Sequence, residues 1–416
     1  MMLWVREERY EENLNPMTIS NGSVQVVSES SRKGIDAKIL GAICVSVLCG
    51  ILVLGLWPFH HPKNEVTWAE NGGGLSFGDH GTVLSSGAFN MPSWQDAAFC
   101  SLEIWVEPDL PWNSNTLLAF YTPENPVQFS LHQSNGDLEL QSVIRNQHRQ
   151  SRTARLYVDT VFPHRKQVFI TVTSGAQQTA IYIDGVLVRT SRDFWLSSRD
   201  FAGQLVVGTS PVEDDSWSGR LRGLAIYDEE LTAAQVFRHY ETWTRKGQPE
   251  VAENQRAVGL YLFDERAGRV VHNQVRSGID LYIPENYQIV DEKFLEPPWR
   301  EFEESRGYWK NVLINIGGFI PLGFFFCAYF SSARRTKRAA LATIALGAAV
   351  SLTIEILQAY LPTRDSGMTD VITNTLGTSL GAMLYGLGPA GALFTRILNG
   401  LSFAVLRWLE RARPAS

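Results

Sequence analysis

The residues best suited to chemistry sit where the chain is otherwise apolar. Ser351, Glu355 and Gln358 fall at i, i+4 and i+7 of one apolar run, so a helix there carries all three on one face. Asp370 and Asn374, also four apart, open the next run, and Arg364 and Asp365 lie in the loop between the two. Asn315 and Pro321 lend polarity and a helix-breaking residue to an earlier run. A charge at mid-bilayer costs about 2.5–3.5 kcal/mol on insertion scales, so Glu355 requires a partner or a polar cavity. Three roles fit this set: an interhelical hydrogen-bond lock, a polar pocket for a lipid head group, glycan or peptide, or a path for protons or ions. In the pocket, Glu355 or Asp370 would act as general base or cation ligand, and Arg364 would contact phosphate. Gly377 and Gly381 are small residues spaced to let helix backbones approach.

A second set lies in the polar middle of the chain. Glu103 and Glu107 are four residues apart on a strand-like run. A strand points both to the same side about 13 Å apart, wider than the carboxyl pairs of glycosidases. Trp94, Trp112, Tyr121, Trp195 and Trp217 are candidates for a sugar-stacking platform, with core packing as the alternative. Asp79, Asp214 and Asp215 are candidate calcium ligands, with solvated loop acids as the alternative.

The elements that hold these residues follow from how the chain is segregated. It has 416 residues, 37 Lys plus Arg against 43 Asp plus Glu, a net charge of −6 and 44% hydrophobic residues. The mild acidity argues against nucleic acid as a partner, and the length allows two or three domains. Cys44, Cys49, Cys100 and Cys327 make no disulfide framework and no zinc spacing. The apolar residues gather at Ile39–Phe59, Val312–Phe330, Ala339–Leu361 and Met368–Leu387. Runs of about 20 residues match a bilayer core about 30 Å thick, so four transmembrane helices are expected. The first run follows 37 polar residues and lacks a small-residue cleavage site, which favours an anchor over a signal peptide.

Basic residues set the threading. Arg32, Lys33 and Lys38 precede the first run, Arg334, Arg335, Lys337 and Arg338 join the second to the third, and Arg396, Arg407, Arg411 and Arg413 follow the fourth. All three clusters put both termini in the cytoplasm and residues 60–308 outside it. The chain then divides into a disordered cytoplasmic tail (1–37), a first transmembrane helix (38–59), an outer domain (64–290), a linker (291–308), transmembrane helices 2–4 (309–392), and a cytoplasmic amphipathic helix and tail (393–416). The outer segment alternates short β-like runs with Gly, Asn, Asp, Ser and Pro, which predicts an all-β jelly-roll sandwich. Asp184-Gly185 between two such runs marks a hairpin.

Ser101-Leu-Glu-Ile-Trp-Val-Glu-Pro108, Tyr182-Ile-Asp-Gly-Val-Leu-Val188, Leu205-Val-Val-Gly208 and Leu224-Ala-Ile-Tyr-Asp-Glu-Glu-Leu-Thr232, in that order, resemble strands of a laminin-G-type, concanavalin A-like domain. Trp105 stands where related glucanases carry the middle acid of a Glu-x-Asp-x-Glu strand. The resemblance implies binding of a glycan or protein, sometimes with calcium, and no catalysis. Tyr261-Leu-Phe-Asp-Glu265 is similar to that family's opening sequence but follows the body of the domain, which implies an augmented sandwich. Asn315-Ile-Gly-Gly-Phe-Ile-Pro-Leu-Gly323, Ser351-Leu-Thr-Ile-Glu-Ile-Leu-Gln358, Arg364-Asp365 and Asp370-Val-Ile-Thr-Asn-Thr-Leu-Gly377 resemble the VanZ-like membrane domain. That resemblance implies a bacterial cytoplasmic-membrane protein with a link to glycopeptide resistance, and the sandwich inserted after the first helix. The expected function is a multi-pass envelope protein displaying a domain that binds cell-envelope glycan or a protein partner. The alternative is an intramembrane enzyme or transporter acting on a lipid-linked envelope precursor through Glu355 and Asp370.

Overall fold

The computed structural model describes residues 37–70, 73–90, 99–145, 151–162, 166–247, 256–276, 278–302, 304–334 and 338–387. The expected cytoplasmic tail, the expected C-terminal amphipathic helix and Trp94 lie outside the described residues. Six α-helices occur among them: α1 (Ala37–Leu56), α2 (Ala233–Lys246), α3 (Pro298–Glu301), α4 (Arg306–Ala328), α5 (Ala339–Gln358) and α6 (Met368–Gly386). Three helices, Ala37–Leu56, Arg306–Ser332 and Ala339–Gln358, are long and apolar enough to cross a membrane. The expected fourth span, α6, is a helix of 19 residues, but it is not among those three. Asp370, Asn374, four threonines and Ser379 dilute its apolar content.

The bundle packs through small residues. A Cβ on Gly377 would stand 2.2 Å from the Ile316 carbonyl oxygen, and one on Gly323 2.0 Å from that of Thr378. Each glycine therefore sets how closely α4 and α6 approach. Gln358 Nε2 donates to the Gly55 carbonyl at 2.7 Å, and Arg364 Nε donates to the Trp57 carbonyl at 3.0 Å. The α5 end and the following loop thus clasp the C-terminal end of α1.

Sixteen strands are seen among the described residues: β1 (Val66–Trp68), β2 (Leu75–Phe77), β3 (Val83–Phe89), β4 (Cys100–Pro108), β5 (Ser114–Thr122), β6 (Asn125–Ser134), β7 (Asp137–Arg145), β8 (Ser151–Val158), β9 (Val168–Ser174), β10 (Thr179–Ile183), β11 (Val186–Ser191), β12 (Gly203–Val207), β13 (Gly219–Tyr227), β14 (Ala257–Tyr261), β15 (Val270–Val271) and β16 (Leu281–Tyr282). The first sheet runs β1-β2-β13-β4-β9-β10-β11, with β14 also on β13, and the second runs β15-β16-β3-β12-β5-β6-β7-β8. Asp184 and Gly185 take positive φ, 50° and 77°, and close the predicted β10–β11 hairpin with Ile183 opposite Val186. The late segment augments both sheets: β14 pairs with β13, and β16 pairs with β3.

Alternation along the strands sends Leu102, Ile104 and Val106 from one sheet against Phe120, Phe129 and Leu131 from the other to form the core. The two outer faces differ. Helix α2, opened by a Thr232–Gln235 capping box and closed by Gly247 in the left-handed region, lays Val236 and Trp243 on Phe169, Ala225 and Tyr227 of the first sheet. Such reciprocal capping satisfies helix-end donors that would otherwise lack partners. The second sheet carries no helix on its outer face among the described residues. Its neighbour is the linker, which is pinned to the bundle where Met368 N–H donates to the Glu296 carbonyl at 2.9 Å. Lys63 and Asn286 form an antiparallel bridge at the base of the sandwich.

Candidate functional site

The acids of β4 are both engaged by side chains of the fold. Glu103 is fully buried; its carboxylate accepts from the Tyr227 hydroxyl at 2.9 Å and lies 2.9 Å from His239 Nδ1. Thr171 Oγ1 adds a longer bond at 3.4 Å. Glu107 accepts from Arg222 Nη2 at 3.0 Å and Nε at 3.2 Å, and the same guanidinium lies over the Trp105 ring. The pair is therefore structural. His239 was not visible as a partner in the sequence because 136 residues separate it from Glu103; the capping box at the head of α2 was the available signal.

The five aromatics do not make one platform. Trp217 is 2% exposed and donates to Gln133 Oε1 at 2.9 Å, which corrects its expected place at the surface. Trp112 is 66% and Trp195 45% exposed. Trp112 stands beside β5 at the end where Asn135 N–H meets the Asn113 carbonyl. Trp195 donates to the Gly175 carbonyl at 3.0 Å, at the opposite end of the sandwich. Tyr121 is partly buried on β5, opposite Gln204 of β12.

The candidate calcium ligands Asp214 and Asp215 have partners within the protein. Asp214 accepts from the Tyr287 hydroxyl at 2.8 Å, and Asp215 accepts from Asn115 at 3.1 Å and Thr116 at 2.5 Å. Among the described residues no three His, Cys, Asp or Glu side chains gather where they could hold a metal. Asp215 belongs to a directed relay instead. Ser130 lies 2.7 Å from His132 Nε2, and His132 Nδ1 lies 3.0 Å from Thr116 Oγ1. Because the Thr116 hydroxyl hydrogen goes to Asp215, Thr116 accepts from Nδ1–H, and Nε2 accepts from Ser130. Burial lowers the His132 pKa and favours the neutral ring this chain requires. Burial also pushes the Asp215 carboxyl up to about 6, against the bonds from Thr116 and Asn115. Ser130 is fully buried, so the relay offers no nucleophile to a substrate.

What sequence reasoning missed on the sandwich is the outer face of the second sheet. Thr116, His132, Glu139 and Tyr157 stand opposite one another across four strands. Tyr157, 42% exposed, donates to Glu139 Oε1 at 2.8 Å, and Gln141 Nε2 donates to the same oxygen at 2.9 Å. Arg155 lies 3.5 Å from it. Polar residues at alternate positions of β6–β8 were the signal. Beside this row a groove of about 570 Å3 runs between the sheet and the linker, lined by Gln141, Thr153, Asp291, Phe294 and Arg300 among others.

In the bundle, the polar residues meet. Asn315, Glu355, Gln358, Arg364, Asp370 and Asn374 line one cavity of about 350 Å3, with Ile51, Leu54 and Gly55 of α1 and Asn311, Ile314 and Gly318 of α4. Glu355 is 1% exposed, and its Oε2 accepts from the Gly367 N–H at 2.8 Å. Asn315 hydrogen-bonds the Asp370 carboxyl. Asn374 Nδ2 donates to Ser351 Oγ at 2.9 Å, which places Ser351 behind the cavity wall. Asp365 lies instead in a neighbouring hollow of about 420 Å3 with Lys293, Arg300 and Glu301; Asn311 and Asp370 border both. Pro321 sits within α4 and Gly377 at the α4 contact, so both serve packing. Two buried oxygens, Gln358 Oε1 and Asn374 Oδ1, have no hydrogen-bond partner, an arrangement that costs about 1–3 kcal/mol per group.

Comparison with known proteins follows the same division. Residues 258–388 match the family model VanZ/LLP1, and residues 79–237 match that of the Concanavalin A-like lectin/glucanases superfamily. No curated protein matches the chain. Among solved structures, the heptameric SAP-like pentraxin from Limulus polyphemus is 17% identical, covering 54% of this chain and 95% of that one with a TM-score of 0.31. Domain 4 of an extracellular arabinanase from Geobacillus stearothermophilus, solved with arabinotriose, is 15% identical over 43% and 85% with a TM-score of 0.31. A Ruminococcus gnavus sialidase CBM40 bound to sialyllactose is 12% identical over 40% and 95% with a TM-score of 0.30. The VanZ-like match opens within β14, ahead of the bundle, so it takes in the last strands of the sandwich. The chain thus carries a concanavalin A-like domain joined to a VanZ-like domain.

Proposed function

We propose that this protein is a multi-pass protein of a bacterial cytoplasmic membrane that holds its sandwich on the outer side to bind a cell-envelope glycan. The observation that carries the reading is the asymmetry of the two sheets: α2 seals one outer face, while the other presents Tyr157 beside Glu139, Gln141 and Arg155 at the edge of a groove. An aromatic ring next to carboxylate, amide and guanidinium groups supplies both the flat face and the hydrogen bonds that a pyranose takes. In this reading α6 crosses the membrane as a fourth helix packed on α4 and α5, and the basic clusters put both termini in the cytoplasm. Full-length protein in detergent, offered to immobilised envelope polysaccharides and peptidoglycan fragments with and without calcium, tests this. Saturable binding that falls at least about tenfold in Tyr157→Ala is expected. A blank across the panel overturns the glycan reading and leaves a protein partner for the same face.

A second reading is favoured by one observation, the convergence of Glu355 and Asp370 on a single cavity. In it the bundle acts as an enzyme or transporter on a lipid-linked envelope precursor, and glycopeptide resistance is its physiological outcome. Glu355→Gln should then abolish resistance while the protein inserts and melts normally; unchanged resistance sinks this reading.

A further inference from the structure

Three of the bundle's helices end at one level, and each end carries exposed aromatic rings. Trp57 and Phe59 follow α1, Tyr360 follows α5, and Trp309 stands in the first turn of α4; all four are exposed. The ends share a level because Gln358 of α5 reaches the Gly55 carbonyl of α1, while Asn311 and Ile314 of α4 border the same cavity as Leu54 and Gly55. Rings of this kind gather where a spanning helix leaves the hydrocarbon, since tryptophan and tyrosine combine an apolar body with a polar edge.

The linker brings further rings to that level. Trp299 is 80% exposed, the most of any large apolar residue among the described ones, and Phe302 is exposed as well. Their backbone is not free to turn away. Leu295 N–H donates to Ser366 Oγ at 3.3 Å, the Glu296 carbonyl accepts from Met368 N–H, and Glu301 Oε2 accepts from Thr369 N–H at 3.0 Å. The Cα of Trp299 is at most about 8 Å from that of Glu301, and the head-group layer is itself about 5–8 Å deep on each side of the hydrocarbon. The Phe302 ring meets Tyr308 edge-on at 5.5 Å, and Tyr308 meets Trp309 in the same way at 5.5 Å. Exposed apolar surface then continues down α4 through Leu313 and Ile314. A bilayer covers this whole strip, whereas a soluble partner on the linker would leave Leu313 and Ile314 bare.

We infer that residues 295–302 lie in the head-group layer of the outer leaflet, with the Trp299 and Phe302 rings at the top of the acyl chains, so that the sandwich is seated on the bilayer and not held off it on a free tether. Arg306 and Lys310, exposed beside Trp309, are long enough to reach lipid phosphates from the same level. The linker wall of the groove, Phe294 and Arg300 among its residues, is thereby set at the membrane surface. This seat rests on the membrane reading above and is independent of what the sandwich binds.

Full-length protein in phosphatidylcholine vesicles, with and without bromine high on the acyl chains, tests the seat, because bromine quenches indole emission at short range. Trp299→Phe, Trp309→Phe and Trp195→Phe each remove one indole and keep a ring, so the emission lost in each variant reports on that tryptophan. Trp195 bonds the Gly175 carbonyl, just past Ser174, which stands opposite Cys100 at the start of β4. The chain enters the sandwich at the other end of that strand, where Val66, Phe77, Gly219 and Pro108 stand in register, nine residues and about 30 Å away. In brominated vesicles the emission of Trp299 and Trp309 should mostly vanish, and that of Trp195 should be unchanged. Quenching of Trp309 without Trp299 overturns the seat and leaves the spanning helices standing. Quenching of neither overturns the membrane reading and the seat with it. Quenching of Trp195 as strong as that of Trp299 lays the bilayer over the whole sandwich and overturns a seat confined to the linker.

Discussion

Glu103 in the sandwich and Glu355 in the bundle are both excluded from solvent, and their surroundings differ in completeness. Around Glu103 a tyrosine, a histidine and a threonine close on the carboxylate from β13, α2 and β9. Around Glu355 one backbone N–H approaches from the α5–α6 loop, and the amide oxygens of Gln358 and Asn374 nearby are buried without partners. A polar cluster with every group matched holds elements together. One with unmatched groups carries a burial cost that the packing around it must offset.

The contrast can be broken at several points. Glu103→Ala should have the largest effect, because it strands His239 and Tyr227 beneath α2; a loss of about 3–5 kcal/mol is expected in chemical denaturation of the sandwich transition. Loss below about 1 kcal/mol would put Glu103 in the same class as the bundle acids. Next comes pH. The Asp215 carboxyl titrates near 6 in the folded protein, above its value of about 3.9 in an unfolded chain, so the native state binds the extra proton between those values. Stability from this group is greatest below about pH 4 and is lost as pH rises through 6, by about 2–3 kcal/mol. Asp215→Asn should flatten that slope, and an unchanged slope between pH 4 and 6 would remove Asp215 as its source.

Glu355→Leu should insert normally yet loosen the loop at Gly367, lowering stability by about 1–2 kcal/mol through one lost buried hydrogen bond. Thermal stability in detergent equal to wild type would show that Glu355 holds nothing in place. The smallest effect is expected at Gly318→Leu, neutral or stabilising by up to about 1 kcal/mol, since a glycine in a helix gives way to a good helix former over open space. A clear loss there would mean that the cavity is narrower than its walls imply.

Much of this was legible beforehand, for local reasons. The Asp184-Gly185 turn announces itself because few residue pairs accept its backbone angles. Ser351, Glu355 and Gln358 were placed on one buried face by helical period alone, and the structure buries all three. The Gly377 and Gly381 contacts followed from size. What stayed hidden depended on distance along the chain: the partner of Glu103, the Gly55 and Trp57 carbonyls that engage Gln358 and Arg364 some 300 residues away, and the core position of Trp217. Local periodicity reports which face a side chain occupies and not what arrives there from elsewhere. It also places Trp217 poorly, since that residue follows an acidic loop and only sheet packing draws it inward. In α6 the threonines satisfy themselves on carbonyls one turn back, a compensation that hydropathy does not register.

The bridge between Lys63 and Asn286 brings the entry and exit of the whole sandwich to within one strand spacing, about 5 Å. A domain whose ends emerge side by side is a cassette: the bundle would see the same short gap if a tight turn, or any other fold with adjacent termini, took its place. Diversification of such a protein therefore has an inexpensive route, in which the sandwich is exchanged while the helices and their cavity keep their inheritance intact.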